Sequence, residues 1–240
     1  MRVGILETGR PAPQLAAVHG DYADMVARLF AGETDFSFSR HWLQQEALPE
    51  LDSCDAYVIT GSRCSVLDET EWMLALEDFL RRARIARRRV IGICFGHQIL
   101  AKAFGGRVEK AATGWRLGLN AYTLDSAPDW LDGAATLRIN AIHQDQVVAP
   151  PDGARVLAHG VDCPFAALQY DDWAVSVQAH PEFNIDYERA LMTTLRGVSL
   201  PETLADAALA TLNAPGAQTD SAEIAKGFAA FLRNGSGREA

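Results

Sequence analysis

Nowhere does an apolar stretch approach the run of about 20 residues that a bilayer-spanning helix needs, so no membrane association is expected. Basic residues are in short supply: 22 Lys and Arg stand against 31 Asp and Glu, a net charge of −9. Such an acidic chain has no general attraction for nucleic acid or an anionic membrane. The one basic run, Arg81 to Arg89 (RRARIARRR), closes a predicted helix, where a solvated face and the helix dipole account for it. Cysteine is sparse and scattered. Cys54, Cys64, Cys94 and Cys163 form no CxxC pair and read as reduced thiols of a cytoplasmic protein. No residues have metal-ligand spacing, and no motif calls for a cofactor. Internal repeats and low-complexity segments are absent, and the Met1–Leu6 start reads as a strand rather than a signal peptide.

What is present is ordinary globular material, 48% hydrophobic and 22% charged, enough to bury a core without staples. Strands are expected at 2–8, 36–42, 55–60 and 89–93, with a break over Gly9–Pro13. Helices are expected at 21–30, 68–86 and 95–104. Residues 106–124 and 134–148 alternate like β-structure, with turns at Gly114, Pro128 and Gly133. Short strands follow at 155–159, 165–169 and 173–178, then C-terminal helices over about 186–233 and a tail at 234–240. This order predicts one α/β domain over 1–240. It would have a mostly parallel sheet, helices on both faces and a small antiparallel β insertion around 107–148.

Within that order, residues 89–106 (RVIGICFGHQILAKAFGG) organise the rest. A short buried strand runs into a helix through Gly92-Ile93-Cys94-Phe95-Gly96, a nucleophile elbow with Cys in place of Ser. A side chain on such a tight turn projects at the carboxyl edge of a sheet, and its neighbours must be small. The following helix aims N–H groups and a positive dipole end at it, which favours a thiolate. A buried structural cysteine with packing glycines is the alternative. The loop Gly61-Ser62-Arg63-Cys64-Ser65 is either a plain turn or a source of oxyanion-binding N–H groups. His180 and Glu182 stand two apart, facing one way if extended, with Pro181 stiffening the link. A Cys nucleophile needs a base and an acid to orient that base, and these residues supply both. Gly61, Cys94 and His180 each follow a predicted strand, which points to one site at the strands' carboxyl ends.

Two stretches, Gly92–Gln98 followed by Gly105-Gly106 and Gln178–Phe183, resemble the signatures of class I glutamine amidotransferase domains. His143-Gln144-Asp145-Gln146-Val147 resembles the loop completing their glutamine pocket, as in the GMP synthase amidotransferase domain. The resemblance spans about residues 55–185 and implies a flavodoxin-like fold and a Cys-His-Glu triad. That triad hydrolyses the glutamine side-chain amide through a γ-glutamyl thioester and releases ammonia. It implies Cys94 as nucleophile, His180 as base and acid, and Glu182 as orienting carboxylate. Oxyanion donors would be N–H groups of Gly61 or Ser62 and of Phe95. Gln98 and the backbone around His143, Gln144, Asp145 and Gln146 would grip the substrate. His97 is assigned to packing or polar surface. Two departures from the family pattern are TGSRCS in place of GGPGS, and Arg116 where Glu is common.

Only about 55 residues follow Glu182, against roughly 100 for an ordinary domain, so no fused synthetase is expected. Three readings follow. One is a glutaminase-type enzyme acting on a small-molecule substrate and passing ammonia to a separate synthetase subunit. A second is a stand-alone hydrolase of other γ-glutamyl compounds, since length and motifs also resemble the γ-glutamyl peptidases. The third is a non-catalytic binding or regulatory module on the same fold.

Overall fold

The computed structural model describes residues 1–125 and 135–234. The turns expected at Pro128 and Gly133, and the tail beyond Asn234, lie outside the described residues. Eleven strands are formed among them: β1 (Arg2–Glu7), β2 (Ser37–Trp42), β3 (Ala56–Ile59), β4 (Arg89–Ile93), β5 (Arg107–Lys110), β6 (Arg116–Leu124), β7 (Thr136–His143), β8 (Asp145–Ala149), β9 (Ala154–Gly160), β10 (Cys163–Tyr170) and β11 (Ala174–Val177). Seven α-helices accompany them: α1 (Pro13–His19), α2 (Tyr22–Leu29), α3 (Glu71–Ile85), α4 (Phe95–Ala103), α5 (Ile185–Leu195), α6 (Glu202–Leu212) and α7 (Ser221–Arg233).

Nine strands form the main sheet in the order β2-β1-β3-β4-β11-β10-β9-β6-β7. The pairings from β2 through β1, β3 and β4 to β11 are parallel, and β10, β9, β6 and β7 extend the sheet antiparallel. The α/β class and the small antiparallel insertion are as the sequence predicts, with one refinement. Only β5 and β8 pair apart from the main sheet. Strands β6 and β7, from the same 107–148 stretch, carry that sheet onward.

Strand alternation explains why both faces are covered. Side chains point to opposite faces in turn. Val3, Ile5, Ala56, Val58, Ile91 and Ile93 therefore join one core with Ala23 and Val26 of α2 and Phe228 and Leu232 of α7. Leu6, Tyr57, Ile59 and Val90 join a second with Leu76, Phe79 and Leu80 of α3 and Ile99 and Leu100 of α4. A third cluster seats α1, α5 and α6 against β6 and β7.

Two helix boundaries differ from expectation. The predicted break at Gly9–Pro13 gives way to α1, whose first residue is Pro13, a residue suited to the helix start because its missing N–H has no acceptor there. The helix expected from Asp68 begins at Glu71 instead. Ser65 and Asp68 close a separate 3-10 turn with a reciprocal capping box, and Glu69 takes a left-handed conformation (φ 50°) that separates it from α3. The arginines that end this helix are ion-paired, Arg81 to Glu77, Arg82 to Asp78, Arg84 to Asp171 and Arg87 to Asp172. Among the described residues no helix is long and apolar enough to cross a membrane.

Candidate active site

Strands β3, β4 and β11 lie side by side and parallel, so the residues after each emerge at one sheet edge. Cys94 ends β4. Its N–H donates to the Val177 carbonyl (2.8 Å) and its carbonyl accepts from Gln98 N–H (3.1 Å), so one residue closes the ladder and opens α4. The turn forces Cys94 to φ 51°, ψ −98°, a conformation that a residue with a side chain adopts only where surrounding structure imposes it. The flanking glycines are needed because the chain is crowded here. A Cβ on Gly92 would lie 2.5 Å from the Gly96 carbonyl oxygen, and one on Gly96 would lie 2.7 Å from that of Ile59.

After β11, the His180 N–H donates to the Asn140 carbonyl (2.8 Å), pinning the turn to β7. The imidazole is almost wholly buried, and its Nδ1 lies 2.8 Å from Glu182 Oε1. With Glu182 ionised, Nδ1–H donates and Nε2 is left for the sulfur. Burial by itself would push His180 down. The Glu182 carboxylate and the Cys94 sulfur, which also hydrogen bonds it, outweigh burial and hold it well above the usual histidine range. A protonated imidazole facing the Cys94 sulfur is the arrangement this electrostatics favours.

Gly61 completes the arrangement from β3. A Cβ there would lie 2.6 Å from His180 Cε1 and 3.7 Å from Cys94 Cβ, so only glycine lets this backbone reach the pair. The TGSRCS departure has a physical counterpart. The Ser62 hydroxyl donates to the Thr8 carbonyl (2.7 Å) and accepts from Cys64 N–H (3.1 Å). Thr8 Oγ1 sits 3.0 Å from the Gly61 carbonyl oxygen, and Thr8 N–H donates to Thr60 Oγ1 (3.0 Å). Side chains at the ends of β1 and β3 thus hold the loop. Phe95, the first residue of α4, has an N–H with no acceptor within the helix. Its ring packs on Trp72 with centroids 5.4 Å apart.

The fourth wall comes from the β7–β8 connection. Gln98 is buried on α4 and its Nε2 donates to the Asp145 carbonyl (2.8 Å) and to Gln178 Oε1 (3.2 Å). Its amide is therefore engaged with the loop. Asp145 accepts from the Ser65 hydroxyl (2.5 Å) and pairs with Lys110 (3.3 Å), joining this loop to the one after Gly61. Gln144 lies within reach of Lys110 Nζ (3.5 Å), and Gln146 is buried in β8. His143 is buried with neither ring nitrogen hydrogen bonded, and burial, aided by the charge of His180, pushes it down to about 3. His97 is wholly buried against the Ser176 hydroxyl (2.8 Å) and is likewise pushed down to about 3 by burial, so of its two expected settings it takes the packed one. Burial thus keeps both rings neutral, in contrast to His180.

Arg116 donates to the Val161 carbonyl and to Asp162 (2.6 Å), tying β6 to the β9–β10 turn. Among the described residues no group of three or more His, Cys, Asp or Glu side chains is placed to hold a metal ion. Sequence reasoning gave no role to Gln178, whose Nε2 lies 3.7 Å from the Cys94 sulfur, or to Asn140. Gln178 opens the Gln178–Phe183 motif two residues before His180 and could have been found. Nothing local marks Asn140, which reaches the site only through β-pairing.

This geometry has relatives. Residues 30–196 match the family Glutamine amidotransferase class-I. Gamma-glutamyl peptidase 4 of Arabidopsis thaliana is 32% identical over 170 residues, 68% of each chain. A glutamine-hydrolyzing GMP synthase subunit from Sulfurisphaera tokodaii is 35% identical over 135 residues, 55% of this chain and 69% of that protein. The crystal structure of a glutamine amido transferase from Methylobacillus flagellatus shares the fold, with a TM-score of 0.75 over 100% of this chain and 96% of that one at 23% identity. A cysteine elbow at residue 94, a His-Pro-Glu turn beside it and a family match over most of the length lead to one conclusion: the chain belongs to the class I glutamine amidotransferase family.

Proposed function

We propose that this protein is a cysteine-dependent amidohydrolase that cleaves the γ-glutamyl amide bond. The observation that carries the reading is the backbone of Cys94, held at φ 51° where strand meets helix, with the buried His180–Glu182 pair beside it. In this reading the Cys94 thiolate attacks the γ-carbonyl carbon. The N–H groups of Phe95 and of Gly61 or Ser62 receive the developing oxyanion. The His180 imidazolium gives its proton to the departing amine, and the C–N bond breaks as the thioester forms. Neutral His180 then takes a proton from water, and the hydroxide displaces Cys94 to release glutamate. Glu182 keeps Nδ1 protonated and the ring oriented throughout. The loop His143 to Gln146, held by Gln98, provides backbone groups for the α-amino and α-carboxylate ends of the substrate.

Glutamine, with ammonia leaving, is the reference substrate, and the ammonia would pass to a separate synthetase subunit. The likeness to the Sulfurisphaera GMP synthase protein supports that version. The likeness to a γ-glutamyl peptidase, over a larger share of the chain, supports a second reading in which the leaving amine belongs to an amino acid or peptide. Steady-state hydrolysis of glutamine, glutathione and a small γ-glutamyl dipeptide, with Cys94→Ala as blank, separates them. Peptide cleavage with poor glutamine turnover makes it a peptidase, and the reverse makes it a glutaminase. Silence on all three, with Cys94 still trapped by a glutamine-analogue electrophile, indicates an amidotransferase that needs its synthetase to turn over.

A further inference from the structure

The turn that delivers His180 also places a phenyl ring flat against it. Phe183 lies with its ring centroid 4.1 Å from that of His180 and the two planes within 6°. The turn is closed by Phe183 N–H donating to the His180 carbonyl (3.2 Å), with Pro181 at the position where its fixed φ suits a turn. Asn140 holds both ends. Its carbonyl accepts from His180 N–H (2.8 Å) and its side-chain amide donates to the Phe183 carbonyl (2.9 Å). Asn140 and Phe183 are both shut away from solvent. Behind Phe183 stand Tyr22 of α2 and Tyr187 of α5, with ring centroids 5.6 and 4.5 Å away. The phenyl ring is thus wedged from the back and cannot retreat from the imidazole.

We propose that Phe183, clamped by Asn140, is a positioning residue that fixes the plane of the His180 ring and stabilises its protonated form. The face of an aromatic ring carries partial negative charge and attracts a cation stacked on it. Two consequences follow for the chemistry proposed above, on which this role rests. The ring cannot swing away from the line between Glu182 and Cys94. The imidazolium also holds its proton to higher pH than the flanking charges alone would secure. Those charges are Glu182 at Nδ1 and Cys94 on the other side, with His143 of β7 and the buried Glu188 of α5 also within its electrostatic reach.

The test uses Phe183→Leu and Asn140→Ser in the full chain. Hydrolysis of a chromogenic γ-glutamyl anilide is followed against pH, together with the rate of Cys94 alkylation by iodoacetamide. Active protein is counted by electrophile titration of Cys94. Per active molecule, kcat is expected to fall about tenfold in Phe183→Leu and less in Asn140→Ser, with KM within about twofold. The alkaline limb of the rate profile, and the upper step of the alkylation profile, should move down by about half a pH unit, the scale of one lost cation–π contact. Loss of active molecules with both limbs unmoved would show mere structural support and overturn the proposal. A wild-type alkylation profile with no upper step would refute the Cys94–His180 pairing itself, and this role with it. If Phe183→Leu fails to fold, Asn140→Ser decides alone, since it removes the clamp on the Phe183 carbonyl and so loosens the stack on His180 while every ring remains in place.

Discussion

The His180 imidazole donates from Nδ1 to Glu182 Oε1 across 2.8 Å, and both side chains are all but removed from water. Glu182 Oε2 is buried with no hydrogen-bond partner, so this carboxylate is committed to one ring. His180→Ala removes the proposed proton carrier and should lower kcat about 10³-fold or more, whereas Glu182→Gln, at the proposed orienting carboxylate, should cost less. Parallel kinetics on a γ-glutamyl anilide check this. The opposite ranking would mean the roles are exchanged.

Gly61 tolerates no side chain where it meets His180. Gly61→Ala would drive a methyl group to 2.6 Å from Cε1 of an imidazole already backed by Phe183, so the Gly61 backbone and the ring must be forced apart. A loss of about 10²-fold in kcat with native-like thermal unfolding is expected, since displacement of about 1 Å at the reacting groups is costly. Unchanged kcat would show that this loop is more mobile than its Thr8 and Ser62 contacts indicate.

Gln98 is the peg between α4 and the β7–β8 connection. Gln98→Ala frees the Asp145 carbonyl and unsettles the Gln178 amide beside Cys94. KM for glutamine should rise several-fold, more than kcat falls, because the variant loosens the wall proposed to receive the substrate's α-amino and carboxylate ends. A KM within error of wild type would remove that loop from substrate binding.

Glu188 on α5 is wholly buried, with neither carboxylate oxygen hydrogen bonded, and burial pushes it up to about 8. The folded chain therefore holds a proton that the unfolded chain gives up near 4.5. Its contribution to stability is full below that value, drains away as pH rises towards about 8 and then levels off. Glu188→Gln keeps the shape and removes the titration. The difference in Tm between variant and wild type should be small at pH 4.5 and grow in the variant's favour up to pH 8.5. A constant difference would contradict this account.

Much of this was legible in the chain because the relevant signals are local. The elbow needs a β-branched run, two glycines and a helical pattern within about a dozen residues, and each is visible. His180 and Glu182 are two residues apart, but the turn closed by Phe183 N–H on the His180 carbonyl brings them together, in place of the extended spacing expected. What could not be read depends on distant pairing. Asn140 reaches His180 through an isolated antiparallel bridge between edge strand β7 and the turn after β11, and no periodicity announces that contact. The split of residues 107–148 between two sheets is of the same kind, since β5 and β6 have similar alternation and differ only in their partners. Helix α1 was hidden by Pro13, which breaks a helix interior but starts one equally well. The start of α3 was hidden by Ser65 and Asp68, whose capping box looks like the first turn of the helix that follows.

The central claim is that Cys94, made reactive by His180, is the nucleophile. The most direct measurement is trapping by a glutamine-analogue electrophile, followed by peptide mapping of all four cysteines and timed in wild type and His180→Ala. The account predicts one adduct per chain, on Cys94 and not on Cys54, Cys64 or Cys163, formed about 10²-fold more slowly without His180. Labelling spread across the four thiols, or a rate on Cys94 indifferent to His180, would contradict it.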